Sequence, residues 1–282
     1  MLERFYCALN QKPGEIKVDL HMHSTVSDGT WMPEELVHNV KSAGIRLFAL
    51  TDHDNIGNVA KTTALAMEAG LCFIPGVEVS STWNGRTYHI LGLGVDISHP
   101  DLKSLLDKNQ EQVDKKDDDA IGYLEGLYPQ VSNEEYKVYE NKRDRGGWKA
   151  LNYLIDKGLC ANYKDFFKLF EGDASEFVTP SFQSPAEVVA VIGKAGGCAI
   201  LAHPGASFYD PDYRYVIEHM LHEGIQGIEC YHPENNETIK QYALEFCRRN
   251  NLLITGGSDC HGTFHPGRHL SLPDIRLSDL VL

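Results

Sequence analysis

The chain has 282 residues, of which 42% are apolar, and a formal net charge of −14. Its length and apolar content allow a sizeable buried core, in one barrel with an insertion or in two domains. The acidic charge argues against a broad surface for long nucleic acid, because such surfaces rely on Lys and Arg. No apolar run approaches the roughly 20 residues that cross a membrane, and residues 1–14 lack a signal-peptide layout.

The seven cysteines are an odd number and include no Cys-x-x-Cys pair. This pattern predicts neither a disulfide framework nor a zinc ribbon. A reducing compartment suits such a chain, so we expect a cytoplasmic protein with no membrane partner. The sequence leaves the oligomeric state open.

Residues 1–15 are expected to form an N-terminal extension. The first predicted strand follows and runs directly into His21 and His23. Residues two apart in a strand point to the same face, so both imidazoles can reach one point beyond its carboxyl end. Imidazole is a preferred ligand of Mn, Zn and Fe, although a single His-x-His pair is weak evidence for a metal.

The same arrangement recurs along the chain, which makes a chance explanation improbable. Strand-like apolar runs alternate with helical stretches, so we expect parallel strands with helices outside. The carboxyl ends of such strands meet at one rim, where α/β proteins place their chemistry. The repetition therefore predicts a polynuclear metal site. The residues that these further runs deliver are Asp52, His53, Glu78, His89, His203, Asp259 and His261.

The alternation stops after Pro100. Residues 101–181 are rich in Lys, Asp, Glu and Tyr and contain no strand-like apolar run. We predict a helical insertion over residues 107–181, inside a barrel formed by residues 1–106 and 182–282. Insertions at the rim of a barrel often act as lids or specificity elements. Strands are expected again at 198–202, 226–231 and 252–255.

An ordered set of motifs resembles the PHP (polymerase and histidinol phosphatase) superfamily. The resemblance covers residues of about 16–106 and 182–266, and it is closest to stand-alone metal-dependent phosphoesterases such as nucleoside 3′,5′-bisphosphate phosphatases. It implies an α/β fold, a distorted (β/α)7 barrel with a trinuclear site. The motifs are His21-x-His23, Asp28, Thr-Asp-His53, Pro-Gly-Val-Glu78, His89, Ala-His203-Pro and Ser-Asp259-x-His261-Gly.

The resemblance also implies a division of the ligands among three divalent ions of Mn, Zn or Fe. Two ions about 3.5–4 Å apart can clamp an attacking oxygen and a phosphate oxygen, and metal-bound hydroxide can supply the nucleophile. Glu78 suits a bridging role because a carboxylate has two oxygens. The first ion would be held by His21, His23, Glu78 and Asp259, the second by Glu78, His89 and His203, and the third by Asp28, His53 and His261.

Other candidates lie beside these ligands. Asp52 is a candidate catalytic residue that would orient a ligand or a water. His232 ends another strand at a position that resembles one near the substrate, with a structural histidine as the alternative. Arg143 and Arg145, where the chain departs from an Arg-Pro-His-like stretch of many relatives, and Arg268 could bind phosphate, because Arg offers a bidentate fork. Ordinary surface exposure is the alternative for Arg268.

These features predict a phosphoesterase that hydrolyses a small phosphorylated metabolite, foremost a nucleoside 3′,5′-bisphosphate. The alternatives are a cyclic phosphodiesterase acting on a sugar phosphate and a 5′–3′ exonuclease acting on short oligonucleotides. A C–N hydrolase is disfavoured because nothing resembles a carboxylated-lysine site. A non-catalytic PHP module is disfavoured because such modules lose ligands, whereas this chain keeps all nine.

Overall fold

The computed structural model describes residues 2–6 and 12–282. Part of the predicted N-terminal extension, residues 1 and 7–11, lies outside the described residues. One sheet runs through the molecule in the order β7-β6-β5-β4-β3-β2-β1-β8. Its strands are Lys17–Asp19 (β1), Ile45–Leu50 (β2), Cys72–Trp83 (β3), Arg86–Leu93 (β4), Cys198–Leu201 (β5), Gly227–Tyr231 (β6), Leu253–Gly256 (β7) and Ile275–Arg276 (β8).

Beyond their named ends, β1 and β7 approach each other and nearly close the sheet into a barrel. The Leu20 N–H donates to the Gly256 carbonyl at 3.1 Å, and Met22 forms a parallel bridge with Cys260. Gly257 permits this approach, since a Cβ there would lie 2.3 Å from the His21 Cβ. The predicted α/β class and distorted PHP-type barrel are therefore confirmed.

Two strands depart from the expected parallel arrangement, and one of them is the short β8, which pairs antiparallel with β1. β4 pairs antiparallel with both β3 and β5, because β3 and β4 form a hairpin. Asn84 and Gly85, at the turn, have φ angles of 49° and 71°, as Asn-Gly hairpin turns require. The remaining pairs among β1, β2 and β3 and among β5, β6 and β7 are parallel.

Helices cover the outside of the barrel and form the segment after β4. The helix Pro185–Lys194 begins at a capping box in which Ser184 and Glu187 exchange hydrogen bonds, and the helix Val59–Ala69 ends at Gly70 in the left-handed conformation. The helices are Pro33–Ser42 (α1), Val59–Ala69 (α2), Pro100–Glu125 (α3), Asn133–Val138 (α4), Lys149–Asp156 (α5), Tyr163–Lys168 (α6), Pro185–Lys194 (α7), Tyr213–His222 (α8) and Glu237–Asn250 (α9).

The interior of the barrel is apolar, and Leu2 near the N-terminus packs into it. Leu2 is buried in the same cluster as Val18, Leu47 and Ile200, which lie on the strands. Burial of a side chain of this size contributes roughly 1.5–3 kcal/mol. The polar rim is therefore built on a packed and rigid support.

Helix α3 belongs to two apolar clusters. Its first half packs Leu102 and Leu106 against the barrel, and its second half packs Ile121 and Leu124 against α4, α5 and α6. The predicted division between residues 106 and 107 thus lies within one continuous helix. Whether residues 107–181 act as a separate lid stays a prediction.

The loop before α5 lies directly on the rim. The Gly147 N–H donates to the Asp28 carbonyl at 2.9 Å, and a Cβ on Gly146 would lie 2.8 Å from that same oxygen. The insertion therefore contacts a predicted metal ligand. Within residues 2–6 and 12–282, no helix is long and apolar enough to span a membrane.

Candidate metal centre and active site

Glu78 lies at the centre of the rim, with a side chain that is fully buried. Its backbone continues the pairing of β3 with the end of β2, because the Glu78 N–H donates to the Asp52 carbonyl at 3.1 Å. Its two oxygens face different imidazoles, as a bridging carboxylate would. Oε1 lies 2.9 Å from His203 Nε2 and 3.0 Å from His89 Nδ1, and Oε2 lies 3.1 Å from His21 Nε2, 3.1 Å from His53 Nδ1 and 3.2 Å from His23 Nε2.

Two further carboxylates face the histidines from other strand ends. Asp259 Oδ1 lies 3.0 Å from His23 Nε2 and 3.4 Å from His21 Nε2. Asp28 Oδ1 lies 3.3 Å from His261 Nε2. Nδ1 of His261 lies 2.7 Å from the Asp259 carbonyl, so a proton on Nδ1 leaves Nε2 free to bind a metal.

All nine predicted ligands thus meet at one rim. Within the described residues, four groups have ligand atoms that lie within 4.8 Å of one another. One group is the same as the set predicted for the first ion, and a second group contains the set predicted for the third ion together with His23. The groups are His21, His23, Glu78 and Asp259; His23, Asp28, His53 and His261; His53, Glu78 and His89; and His21, Glu229 and His232.

Two of these residues adopt unusual backbone angles at strand ends. His203 has φ of 24° and Asp259 has φ of 52°. A non-glycine residue in this region costs about 1–3 kcal/mol and persists only where the surroundings impose it. Here the strain turns both side chains toward Glu78 and His23.

The donor atoms fit metal ions better than they fit one another. His23 Nε2, Asp259 Oδ1, Asp28 Oδ1 and His89 Nδ1 are buried and have no hydrogen-bond partner. His23 Nε2 and Asp259 Oδ1 are 3.0 Å apart, yet their contact lacks hydrogen-bond geometry. Buried polar atoms are rarely unsatisfied in proteins, and imidazole with carboxylate is the donor chemistry of Zn, Mn and Fe sites.

The carboxylates of the rim are held in their charged form. Burial alone would raise the pKa of Glu78, but His53, His21 and His89 outweigh it and hold this pKa well below its usual value. The pKa of Asp259 is likewise lowered against burial, chiefly by His21 and His261. Ionised carboxylates are the state that binds divalent ions.

The imidazoles divide between two protonation states in the ion-free protein. Burial lowers the pKa of His53 to about 3 and also lowers that of His203. For His23, burial acts in the same direction, but the carboxylates of Asp259 and Glu78 beside it raise its pKa to about 10. Metal binding to His23 would therefore release a proton.

Glu229 is a functional residue that the sequence analysis missed. It is fully buried on β6, its Oε1 lies 3.0 Å from His21 Nδ1, and its Oε2 accepts the His203 N–H at 2.8 Å. A carboxylate on the far nitrogen of a ligand histidine fixes its tautomer and orientation. The signal available in the sequence was a single acidic residue within the otherwise apolar strand Gly227–Tyr231.

The two predicted catalytic residues occupy different places. The Nδ1 of His232 accepts the Glu234 N–H at 3.1 Å, which leaves the proton of a neutral ring on Nε2, 3.3 Å from Asp259 Oδ2. Asp52 instead accepts the Ser24 N–H and hydroxyl, both at 2.7 Å. The structure thus brings His232 to the cluster and places Asp52 against the loop that carries Asp28.

The three arginines also differ in position. Arg268 donates to Asp259 Oδ2 and to Glu234, so it lies at the rim. Arg143 lies within 3.5 Å of the carbonyls of residues 26 and 27, beside the same loop. Arg145 forms a bidentate pair with Asp156 at 2.8 and 2.9 Å, and its guanidinium is engaged within the insertion.

This barrel and its rim of histidines and carboxylates define a metal-dependent phosphoesterase of the PHP type. The PHP domain family matches residues 19–183, and the chain belongs to this family. The predicted superfamily and enzyme class, a metal-dependent phosphoric ester hydrolase, are therefore confirmed.

Characterised relatives act on different phosphate esters. The chain is 31% identical to a 5′-3′ exoribonuclease of Haemophilus influenzae, covering 92% of this chain and 96% of that protein. It is 30% identical to a 3′,5′-nucleoside bisphosphate phosphatase of Chromobacterium violaceum, covering 89% of both. It is 29% identical to a phosphoribosyl 1,2-cyclic phosphate 1,2-diphosphodiesterase of Eggerthella lenta, covering 87% and 94%.

A solved structure supports the same assignment. A protein of Bifidobacterium adolescentis described as a metal-dependent phosphoesterase superposes with a TM-score of 0.77 at 26% identity, covering 95% of both chains. The two chains therefore share this fold across nearly their full length.

Proposed function

We propose that this enzyme hydrolyses a nucleoside 3′,5′-bisphosphate at a centre of three divalent ions. The observation that carries the proposal is the meeting of nine donor side chains at one rim around Glu78, several with buried and unpartnered ligand atoms. The donors form several overlapping groups, which supports more than one ion, and three is the number that the family resemblance implies. The two oxygens of Glu78, which face different histidines, support its role as the bridge between two ions.

When bound, divalent ions lower the pKa of water to give a nucleophile and neutralise phosphate charge. The protein's own residues then orient the ligands and stabilise the leaving group. Glu229 holds His21 with Nε2 toward Glu78. His232 presents its Nε2–H at the edge of the cluster, where it can donate a hydrogen bond that stabilises charge on the leaving oxygen.

Arginines at the rim support a substrate with more than one phosphate. Arg268 lies on Asp259, and Arg143 lies beside the loop of Asp28, so a phosphate at the ions would have a cation on two sides. The similarity to a 3′,5′-nucleoside bisphosphate phosphatase favours this substrate. The net charge of −14 favours small substrates over long nucleic acid.

A second candidate is 5′–3′ exonuclease activity on short oligonucleotides. It is favoured by the relative named an exoribonuclease, of which the alignment covers 96%. Both reactions place a nucleotide phosphate at the same ions. The two substrates differ in that the oligonucleotide carries further nucleotides beyond the one that reacts.

The test is phosphate or nucleotide release by Mn-loaded protein from a matched panel. The panel contains adenosine 3′,5′-bisphosphate, adenosine 5′-monophosphate, a cyclic phosphodiester of a sugar phosphate and a short 5′-phosphorylated oligonucleotide. We expect the highest kcat/KM for the bisphosphate. A preference for the oligonucleotide or the cyclic diester would replace the substrate, and inactivity on all four with metal bound would overturn the proposal.

A further inference from the structure

An exposed aromatic ring stands beside the metal centre, on the loop between β5 and α8. Phe208 exposes 44% of its surface. Its ring centroid lies 5.4 Å from that of His89 and 5.9 Å from that of His203. Both histidines face Oε1 of Glu78, so the ring lies one imidazole away from the central carboxylate.

Exposure of a single apolar residue is common and proves nothing by itself. The loop that carries Phe208, however, is fixed on both sides. The Arg86 guanidinium donates to the carbonyls of Phe208 and Tyr209 at 3.5 and 3.4 Å. Tyr209 is buried, and its hydroxyl accepts the His89 N–H at 2.7 Å. A ring on a fixed backbone binds a partner with little loss of conformational entropy.

The face of the ring is available for stacking. The described aromatic neighbours of Phe208 meet it at an angle: His89 at 52°, His203 at 64° and Tyr209 at 85°. None of them lies parallel on the ring, and the residue remains half exposed. A flat group bound at the rim could therefore stack on it.

We infer that Phe208 stacks on the base of the substrate and makes a nucleotide, rather than a sugar phosphate, the preferred substrate class. This inference rests on the proposed function, in which a nucleotide phosphate lies at the metal centre. The Phe208 ring lies next to His89 and His203, which contact Glu78. This is about where the base of such a nucleotide would lie. Stacking of a base on an aromatic ring needs no cationic side chain, which suits a protein of net charge −14.

The experiment compares Phe208→Ala with the wild type on two substrates. One is adenosine 3′,5′-bisphosphate, and the other is its abasic analogue with hydrogen in place of adenine at C1′. We expect KM for the bisphosphate to rise about 5- to 50-fold, from the loss of one stacked base, and KM for the abasic analogue to change less than about twofold. Phe208→Trp should restore KM, because an indole also stacks. Equal effects on the two substrates would overturn the inference.

A matched control is Phe167→Ala, since Phe167 on α6 is similarly exposed, at 48%, and should leave both KM values unchanged. Calorimetric binding of adenosine 5′-monophosphate to Mn-loaded protein separates this inference from the proposed function. If the wild type hydrolyses no bisphosphate but Phe208→Ala still weakens binding, stacking is supported and the proposed substrate fails. Equal binding by wild type and Phe208→Ala would overturn stacking whatever the activity.

Discussion

Glu229 acts on the site through two predicted metal ligands, because its carboxylate forms hydrogen bonds with His21 and His203. Its Oε1 lies within hydrogen-bond distance of His21 Nδ1, and its Oε2 accepts the His203 backbone N–H. Glu229→Gln keeps the shape and can still accept one hydrogen bond, but it removes the charge that favours the correct tautomer. Loss of such a partner typically costs about 10–100-fold in metal affinity or activity.

We therefore expect Glu229→Gln to weaken metal binding about 10-fold or more while the fold is retained. Metal titration followed by calorimetry measures the affinity, and circular dichroism checks the fold. Gln241→Glu on the exposed face of α9 serves as a charge-changing control away from the rim. Unchanged metal affinity in Glu229→Gln would show that its contact with His21 is structural only.

Direct removal of a proposed ligand should have a larger effect. We expect His23→Ala or Asp259→Ala to lower metal content and to reduce turnover by at least about 10³-fold, since the metal supplies both nucleophile and charge neutralisation. Metal analysis by mass spectrometry and phosphate release are the measurements. Full activity in metal-depleted Asp259→Ala protein would overturn the proposed mechanism.

The arginines of the insertion provide a test of substrate contact. Arg143 lies beside the loop of Asp28, and we expect Arg143→Ala to raise KM for the bisphosphate about 5-fold with metal content unchanged. Arg145 was predicted to bind phosphate too, but its guanidinium forms a bidentate pair with Asp156. Binding of phosphate by Arg145 would first require this pair to break. For Arg145→Ala we expect a stability loss of no more than about 1 kcal/mol, as is usual for partly exposed pairs. A KM rise in Arg145→Ala alone would reverse this assignment.

At the scale of elements, α3 contains a partly buried acid that couples stability to pH. Asp117 accepts hydrogen bonds from the Tyr136 hydroxyl and the Ala150 N–H, both at 3.2 Å. Burial nevertheless raises the pKa of Asp117 to about 7. The folded state thus retains a proton that the unfolded state loses near pH 4, so stability falls as pH rises from about 4 to about 7.

We expect Asp117→Asn to remove this dependence, because the amide keeps an acceptor without ionising. The variant should gain on the order of 1–2 kcal/mol over the wild type at pH 8 and almost nothing at pH 4. Denaturant unfolding at both pH values measures the difference, with Asp107→Asn, exposed on the same helix, as control. An equal gain at both pH values would contradict the assigned cause.

The sequence predicted most elements but not every direction. Strands were expected at 198–202 and 252–255, and the structure has Cys198–Leu201 and Leu253–Gly256, because buried apolar runs are strong signals. The antiparallel direction of β4 was missed. Asn84-Gly85, the hairpin signal, was present, but alternating strands and helices favoured a parallel sheet.

The nine predicted ligands could be found from the sequence because most of them closely follow or lie within a strand-like apolar run. Glu229 and Phe208 could not, since their proposed roles depend on what lies beside them in space. Glu229 is 208 residues from His21 along the chain, and no local pattern encodes that contact. Sequence reasoning thus found the side chains that meet at the rim, and their role as metal ligands stays a prediction. The structure was needed to find Glu229 and Phe208, which lie beside them.

At the scale of the whole molecule, the rim joins strand ends from both halves of the barrel. His21, His53 and Glu78 come from the first half, and His203 and Asp259 from the second. Ions bound between the halves favour the folded state by mass action, by about 2.7 kcal/mol at a free concentration 100 times the Kd. Chelation should therefore lower the melting temperature of the whole barrel, not only abolish turnover.

We expect removal of the ions with EDTA to lower Tm by several degrees and Mn addition to restore it. The shift should shrink in His23→Ala, which lacks a ligand shared by two groups of donors, and should persist in Phe167→Ala. Calorimetric scans of chelated and Mn-loaded protein give the measurement. A shift of the same size in His23→Ala would mean that the ions stabilise the protein at a site other than this rim.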